Sequence, residues 1–133
     1  DLAKDLKLVC QIQVEGFVED PSAFYHASDI VVIPSKKPEP FGLVAVEAMS
    51  HARPTISARH GGLLEITRHE KTGLFFTPNE PDDLAAAIQR LVENEDERIR
   101  FGDGARARYL ELFTEQRYKD RLTRTVDEKI GIH

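Results

Sequence analysis

Two carboxylates in one short stretch could do chemistry: Glu39, set between Pro38 and Pro40, and Glu47, set in the otherwise apolar run from Leu43 to Met49. A residue that precedes proline is pushed out of the helical region, so Glu39 is presented from a stiff, extended loop. Gly42 follows, where a ligand can approach the backbone closely. A helix opening directly after it would offer free N–H groups and the positive end of its dipole, which together suit an anion such as phosphate. From Leu43 to Met49 only Glu47 is polar, so the helix reads as apolar all round and belongs in a core. An unpaired carboxylate is costly to bury, so Glu47 must be protonated, paired or aimed at a cleft where ligand or water meets it. On spacing alone two readings stand. One is a single segment with a presented carboxylate, a phosphate cradle and a second carboxylate a turn further in; the other is a solvated Glu39 with a Glu47 that caps a neighbouring element.

The flanking elements suggest how this segment is held. Lys7 to Glu15 reads as a strand ending at Gly16, Asp20-Pro21 as the start of a short helix over Ser22 to Ala27, and Ile30 to Ile33 as a central parallel strand, β-branched throughout and covered on both faces. Pro34 stops that strand, and Pro54 to Ser57 gives another. His60-Gly61-Gly62 then leads into a helical turn over Leu63 to Ile66, repeating the order strand, glycine loop, helix. In an open parallel sheet ligands bind beyond the carboxyl ends of the strands, so the two loops belong on one rim. Gly-Gly by itself reads equally well as a plain turn. Leu74 to Phe76 forms a further short strand, and Leu84, Ile88 and Leu91 recur at helical spacing and pack one face of a helix on the sheet. Helices follow from about Glu95 to Leu112, with a kink or break expected at Gly102 and Gly104, and from Thr114 to Lys129. The arginines and lysine at 98, 100, 106, 108, 117, 119, 121 and 124 alternate with acids and read as a solvated face.

Composition narrows the function class. A chain of 133 residues, 41% hydrophobic, is one globular domain at most. A net charge of -5 argues against an electrostatic grip on nucleic acid. Cys10, the only cysteine, reads as a small buried hydrophobe and supplies neither disulfide nor metal cluster. The five histidines form no metal-ligand spacing, there is no serine elbow or acidic cage, and His60, the only one beside the glycine loop, reads as a surface or turn histidine. The opening Asp1 to Leu6 resembles the end of a helix, so a piece of a longer protein is expected.

Ser35, the E-x7-E pair Glu39 and Glu47, Phe41-Gly42 and Ala48-Met49 resemble the signature of nucleotide-sugar glycosyltransferases of the GT-B fold, most closely the retaining family four. The resemblance runs along the chain through Gly16-Phe17-Val18, Ser28-Asp29, Pro34-Ser35, Pro54, Gly61-Gly62, Thr72-Gly73-Leu74 and the Leu84-Ala85-Ala87-Ile88 helix. It implies an α/β, partial Rossmann-like GT-B C-terminal domain: a parallel sheet of about four strands, helices on both faces and a helical C-terminal tail over 95–133. The acceptor domain and the first strands of the donor domain, whose glycine-rich loop carries an Arg and a Lys for the diphosphate, are expected to be missing.

The resemblance also implies residue roles. Glu39 is the catalytic-site carboxylate and accepts hydrogen bonds from the transferred sugar, with the amides of Phe41, Gly42 and Leu43 near sugar and phosphate. Glu47 holds the ribose hydroxyls, Gly61-Gly62 and Glu65 lie near the diphosphate, and the base lies along Gly16-Phe17-Val18. Transfer retains anomeric configuration, with a nucleotide-sugar as substrate, an acceptor sugar or lipid-linked acceptor, no metal and no other cofactor. The expected location is cytoplasmic, with peripheral membrane attachment left open. The isolated chain is expected to be inactive and to self-associate through the open edge of its sheet. One departure is Ala52, where relatives usually have glycine, at some backbone cost. Two other classes stay open: a GT-B nucleotide-sugar 2-epimerase and a non-catalytic interaction domain.

Overall fold

The computed structural model describes Asp5, Lys7 and residues 11–130. The expectation of a buried Cys10, and most of the stretch before it, lie outside these residues. In chain order the elements are α1 (Ser22–Ala27), β1 (Val31–Ile33), α2 (Leu43–Ser50), β2 (Thr55–Ala58), α3 (Leu63–Ile66), β3 (Gly73–Phe76), α4 (Pro81–Glu93), α5 (Glu95–Leu112) and α6 (Glu115–Ile130). The strands form a parallel sheet in the order β1-β2-β3, with Val32 opposite Ile56 and Ile56 opposite Leu74.

Side-chain alternation along the strands builds two cores. On one face Ile33 meets Ala45, Val46 and Met49 of α2, Leu63 and Ile66 of α3, and Ala105 of α5. On the other, Ile56, Ala58, Leu74 and Phe76 meet Leu91 of α4 and Phe101 of α5, with Leu84 and Ile88 packed alongside as their spacing predicts. Helices on both faces of a parallel sheet make this an α/β fold. No helix among the described residues is long and apolar enough to cross a membrane.

Three expectations change. Among the described residues the sheet has three strands and β2, buried at every position, is the central one, while β1 lies at an edge. The β-branched run at 30–33 reports burial on two faces but says nothing about neighbours in the sheet. Thr55 and Ser57 disguise β2; their hydroxyls are taken up by the Thr67 hydroxyl at 3.4 and 3.2 Å. Second, residues 12–15, the described end of the strand expected over Lys7 to Glu15, form no strand: Val14 stands 88% exposed, and no ladder among the described residues pairs with them. A strand exists only as part of a ladder, and the alternation of Ile12 and Val14 cannot supply the other half.

Third, α5 runs without a break through Gly102 and Gly104. Both glycines sit where other backbone crosses the helix, a Cβ on Gly102 striking the Ala52 carbonyl and one on Gly104 striking the Lys71 carbonyl. Three of the four arginines of α5 are likewise structural, whereas Arg100 stays exposed. Arg106 donates to Ser50 O at 2.6 Å, Arg108 to Ile66 O and Glu65 O at 2.9 and 2.7 Å, and Arg98 to Leu91 O and Val92 O at 2.7 and 2.8 Å. Each therefore binds carbonyls left orphaned at the end of a different helix, α2, α3 or α4.

Candidate functional site

Both loops emerge from the carboxyl ends of neighbouring parallel strands, so the sheet sets them side by side. Gly62 N donates to Glu39 O at 2.7 Å. His60 Nε2 lies 2.7 Å from Ser35 O and must be the protonated nitrogen, because a carbonyl only accepts. His60 Nδ1 is buried and has no partner among the described residues. Gly61 takes a left-handed φ of 61°, and a Cβ there would stand 2.6 Å from Glu39 O and 2.7 Å from Glu39 N. On Gly62 it would stand 2.7 Å from Phe41 O. The glycine pair is thus the condition for the two loops to touch.

Glu39 is half-buried and takes a hydrogen bond from the Ser35 hydroxyl through Oε1, so its carboxylate is held within its own loop. Phe41 is 57% exposed, and Gly42 turns the chain at φ 88° into α2. No side chain caps α2, and the N–H groups of Gly42, Leu43 and Val44 find no partner among the described residues. Ala45, Val46, Ala48 and Met49 are buried as expected, but Leu43 and Val44 are exposed. The first turn of α2 therefore exposes Leu43 and Val44 beside a buried Gly42, while its body packs in the core. Glu47 is half-buried, and its Oε2 accepts the Tyr25 hydroxyl of α1 at 2.8 Å. Of the alternatives open for Glu47, the structure gives pairing. Burial, and then the hydrogen bond to Glu47, raise the Tyr25 phenol well above its ordinary range.

Next to Phe41 and Gly62 a cleft of about 460 Å³ opens between these loops and α5 and α6, with Glu65, Arg108 and Arg121 on its walls. Burial holds the Arg108 guanidinium below its usual value. Among the described residues no group of three or more His, Cys, Asp or Glu side chains is placed to hold a metal ion.

The structure gathers Glu39, Phe41, Gly42, Leu43, Gly61 and Gly62 at one rim, with Glu47 one turn inside α2. Gly16, Phe17 and Val18 stand exposed, and a Cβ on Gly16 would meet nothing within 4 Å. Sequence reasoning missed two residues. His60 is a half-buried bridge between the loops, not a turn histidine; its place just before Gly-Gly was the available signal. Tyr25 gave none, because its partner lies 22 residues away.

Comparison with known proteins gives the family. Residues 1–108 match "Glycosyl transferases group 1". A D-inositol 3-phosphate glycosyltransferase of Corynebacterium kroppenstedtii is 39% identical over 107 residues, 79% of this chain and 24% of that protein. Anabaena HepE, solved in complex with UDP, is 29% identical with a TM-score of 0.90 over 95% of this chain and 35% of its own. The C-terminal domain of a glycosyl transferase group 1 family protein (LpcC) of Francisella tularensis is 27% identical, with a TM-score of 0.78 over 86% of this chain and 60% of its own. The chain spans about a quarter of the length of the curated relatives it matches, 24% for each of the first two. With a family match over most of its length and these folds superimposing on it, the chain belongs to the group 1 glycosyltransferases and has the fold of their C-terminal GT-B domain.

Proposed function

We propose that the chain is the donor-binding part of a retaining glycosyltransferase that moves a hexose from a nucleoside diphosphate to an acceptor. The observation that carries this reading is the uncapped amino end of α2, whose first N–H groups have no partner among the described residues and which the touching loops of Glu39 and Gly61-Gly62 flank. Unpaired N–H groups and the helix dipole there suit a diphosphate. A family neighbour solved with UDP supports the same ligand class.

In this reading Glu39 accepts hydrogen bonds from the hydroxyls of the sugar, and Glu47 holds the ribose. The amides of Phe41, Gly42 and Leu43, with Gly61-Gly62, cradle the phosphates. The bond from the anomeric carbon to the diphosphate oxygen breaks, leaving an oxocarbenium-like sugar, and the acceptor hydroxyl bonds that carbon on the same face as it passes its proton to the departing phosphate oxygen. Negative charge grows on the departing phosphate as this happens. Fixed dipoles at the α2 amino end stabilise it without reorganising, so backbone donors supply the charge compensation that a metal supplies in other designs. The acceptor site lies in parts of the full-length protein outside this chain.

The test uses the full-length protein: titration with UDP, GDP and ADP, followed by product analysis with the matching nucleotide-sugar. Saturable binding of one nucleotide and a product of retained configuration support the reading; no binding of any of the three removes it.

A further inference from the structure

The donor reading leaves one buried hydroxyl unassigned. Tyr25 is 8% exposed, and its O–H ends on Glu47 Oε2 across two helices. The ring is itself fixed. His51, at the carboxyl end of α2, stacks on it at 5.1 Å between centroids and 25° between planes, and His26 meets His51 edge-on at 4.8 Å. Arg53 donates to Tyr25 O at 2.8 Å and His26 O at 2.9 Å, which pins the end of α1 that carries the ring. The carbonyl of Glu47 is held from the other side by Ser50 Oγ at 2.6 Å. The raised phenol keeps its proton, so Tyr25 remains a donor wherever Glu47 is ionised. Glu47 Oε1, by contrast, has no partner among the described residues.

We propose that Tyr25 is a positioning residue for ribose recognition: it holds Oε2 of Glu47, fixes the carboxylate's orientation and leaves Oε1 as the acceptor for a nucleotide ribose hydroxyl. This rests on the donor-site reading of Glu47. An unheld glutamate side chain must be ordered when the ligand arrives, and that ordering subtracts from affinity; a carboxylate already fixed by a buried phenol avoids the loss. A bond that merely clamped α1 to α2 would serve the fold equally for every ligand. A positioning bond selects: it matters only for nucleotides that bring a hydroxyl to Oε1. Ribonucleotide preference should therefore run through Tyr25 although Tyr25 touches no ligand.

The experiment compares, in the full-length protein, binding of the preferred one of UDP, GDP and ADP with binding of its 2′,3′-dideoxy analogue, for wild type, Tyr25→Phe, Glu47→Ala and the double variant. Tyr25→Phe should weaken the ribonucleotide about three- to tenfold, the effect of one hydrogen bond, and leave the dideoxy analogue unchanged. In the Glu47→Ala background it should change neither. Equal loss for both nucleotides in Tyr25→Phe, or no loss for either, overturns the proposal. If Glu47→Ala discriminates ribose as wild type does, the donor reading of Glu47 falls, and the role of Tyr25 with it. If Glu47→Ala abolishes discrimination while Tyr25→Phe retains it, only the role of Tyr25 falls. Thermal unfolding of each variant separates misfolding from lost recognition, and a misfolded Tyr25→Phe is replaced by Tyr25→Leu, which keeps apolar bulk without any donor and must show the same ribose-selective loss.

Discussion

The loops after β1 and β2 touch along their backbones but are built in opposite ways. The first, from Pro34 to Gly42, is long, stiffened by prolines, and carries Glu39 and the exposed Phe41. The second, Arg59 to Gly62, carries two residues with no side chain at all, and its bridging side chain, His60, points back into the first loop at Ser35 O. In the proposed reading one loop offers functional groups to a ligand, and the other supplies the shape that lets them be offered. Residues in the two should fail differently. Damage to the second should appear in stability and loop position, and damage to the first in ligand binding and turnover.

The largest effect that follows is on Gly61. Gly61→Ala combines a left-handed backbone with a Cβ 2.6 Å from Glu39 O, so it should destabilise the fold by about 2 to 4 kcal/mol in denaturant unfolding. A loss below 0.5 kcal/mol would mean that the loops separate easily and the comparison is empty. Next comes Glu47→Gln, which should lower nucleoside diphosphate affinity by about 1.5 to 3 kcal/mol, the effect of a hydrogen bond to a charged group, while the unfolding midpoint moves little. Unchanged affinity would return Glu47 to a purely structural pairing with Tyr25. His60→Ala removes the bond to Ser35 O and should cost about 1 to 2 kcal/mol of stability. The smallest effect inverts the glycine argument. Ala52 holds φ 55° without being glycine, so Ala52→Gly should stabilise by about 0.5 kcal/mol, the relief of strain less the added freedom of the unfolded chain. A destabilisation would show that packing around Ala52 outweighs its strain.

What could be read from the residues follows the range of the interactions concerned. α1, α2, α4 and the strand-loop-helix repeat are local patterns, and each is found within a residue or two of its expected span. Glu47 stood out because a lone carboxylate in an apolar helix violates a local trend. Its partner did not, since a tyrosine on α1 announces nothing about α2. Gly102 and Gly104 misled for a related reason. Propensity counts only what glycine subtracts from a helix, whereas here its missing side chain admits the carbonyls of Ala52 and Lys71. Arg98, Arg106 and Arg108 looked solvated in one dimension and end other helices in three. The edge position of β1 depends on partners that a strand's own sequence does not name.

The central claim is a division of labour between the two carboxylates: Glu47 at the nucleoside, Glu39 at the sugar. Its most direct test is calorimetric titration of full-length Glu39→Ala and Glu47→Gln proteins with the nucleoside diphosphate, paired with turnover of the corresponding nucleotide-sugar. Glu39→Ala should bind the bare diphosphate as wild type does and lose turnover, while Glu47→Gln loses affinity for the diphosphate itself. Parallel loss of diphosphate binding in both variants, or none in either, would contradict it.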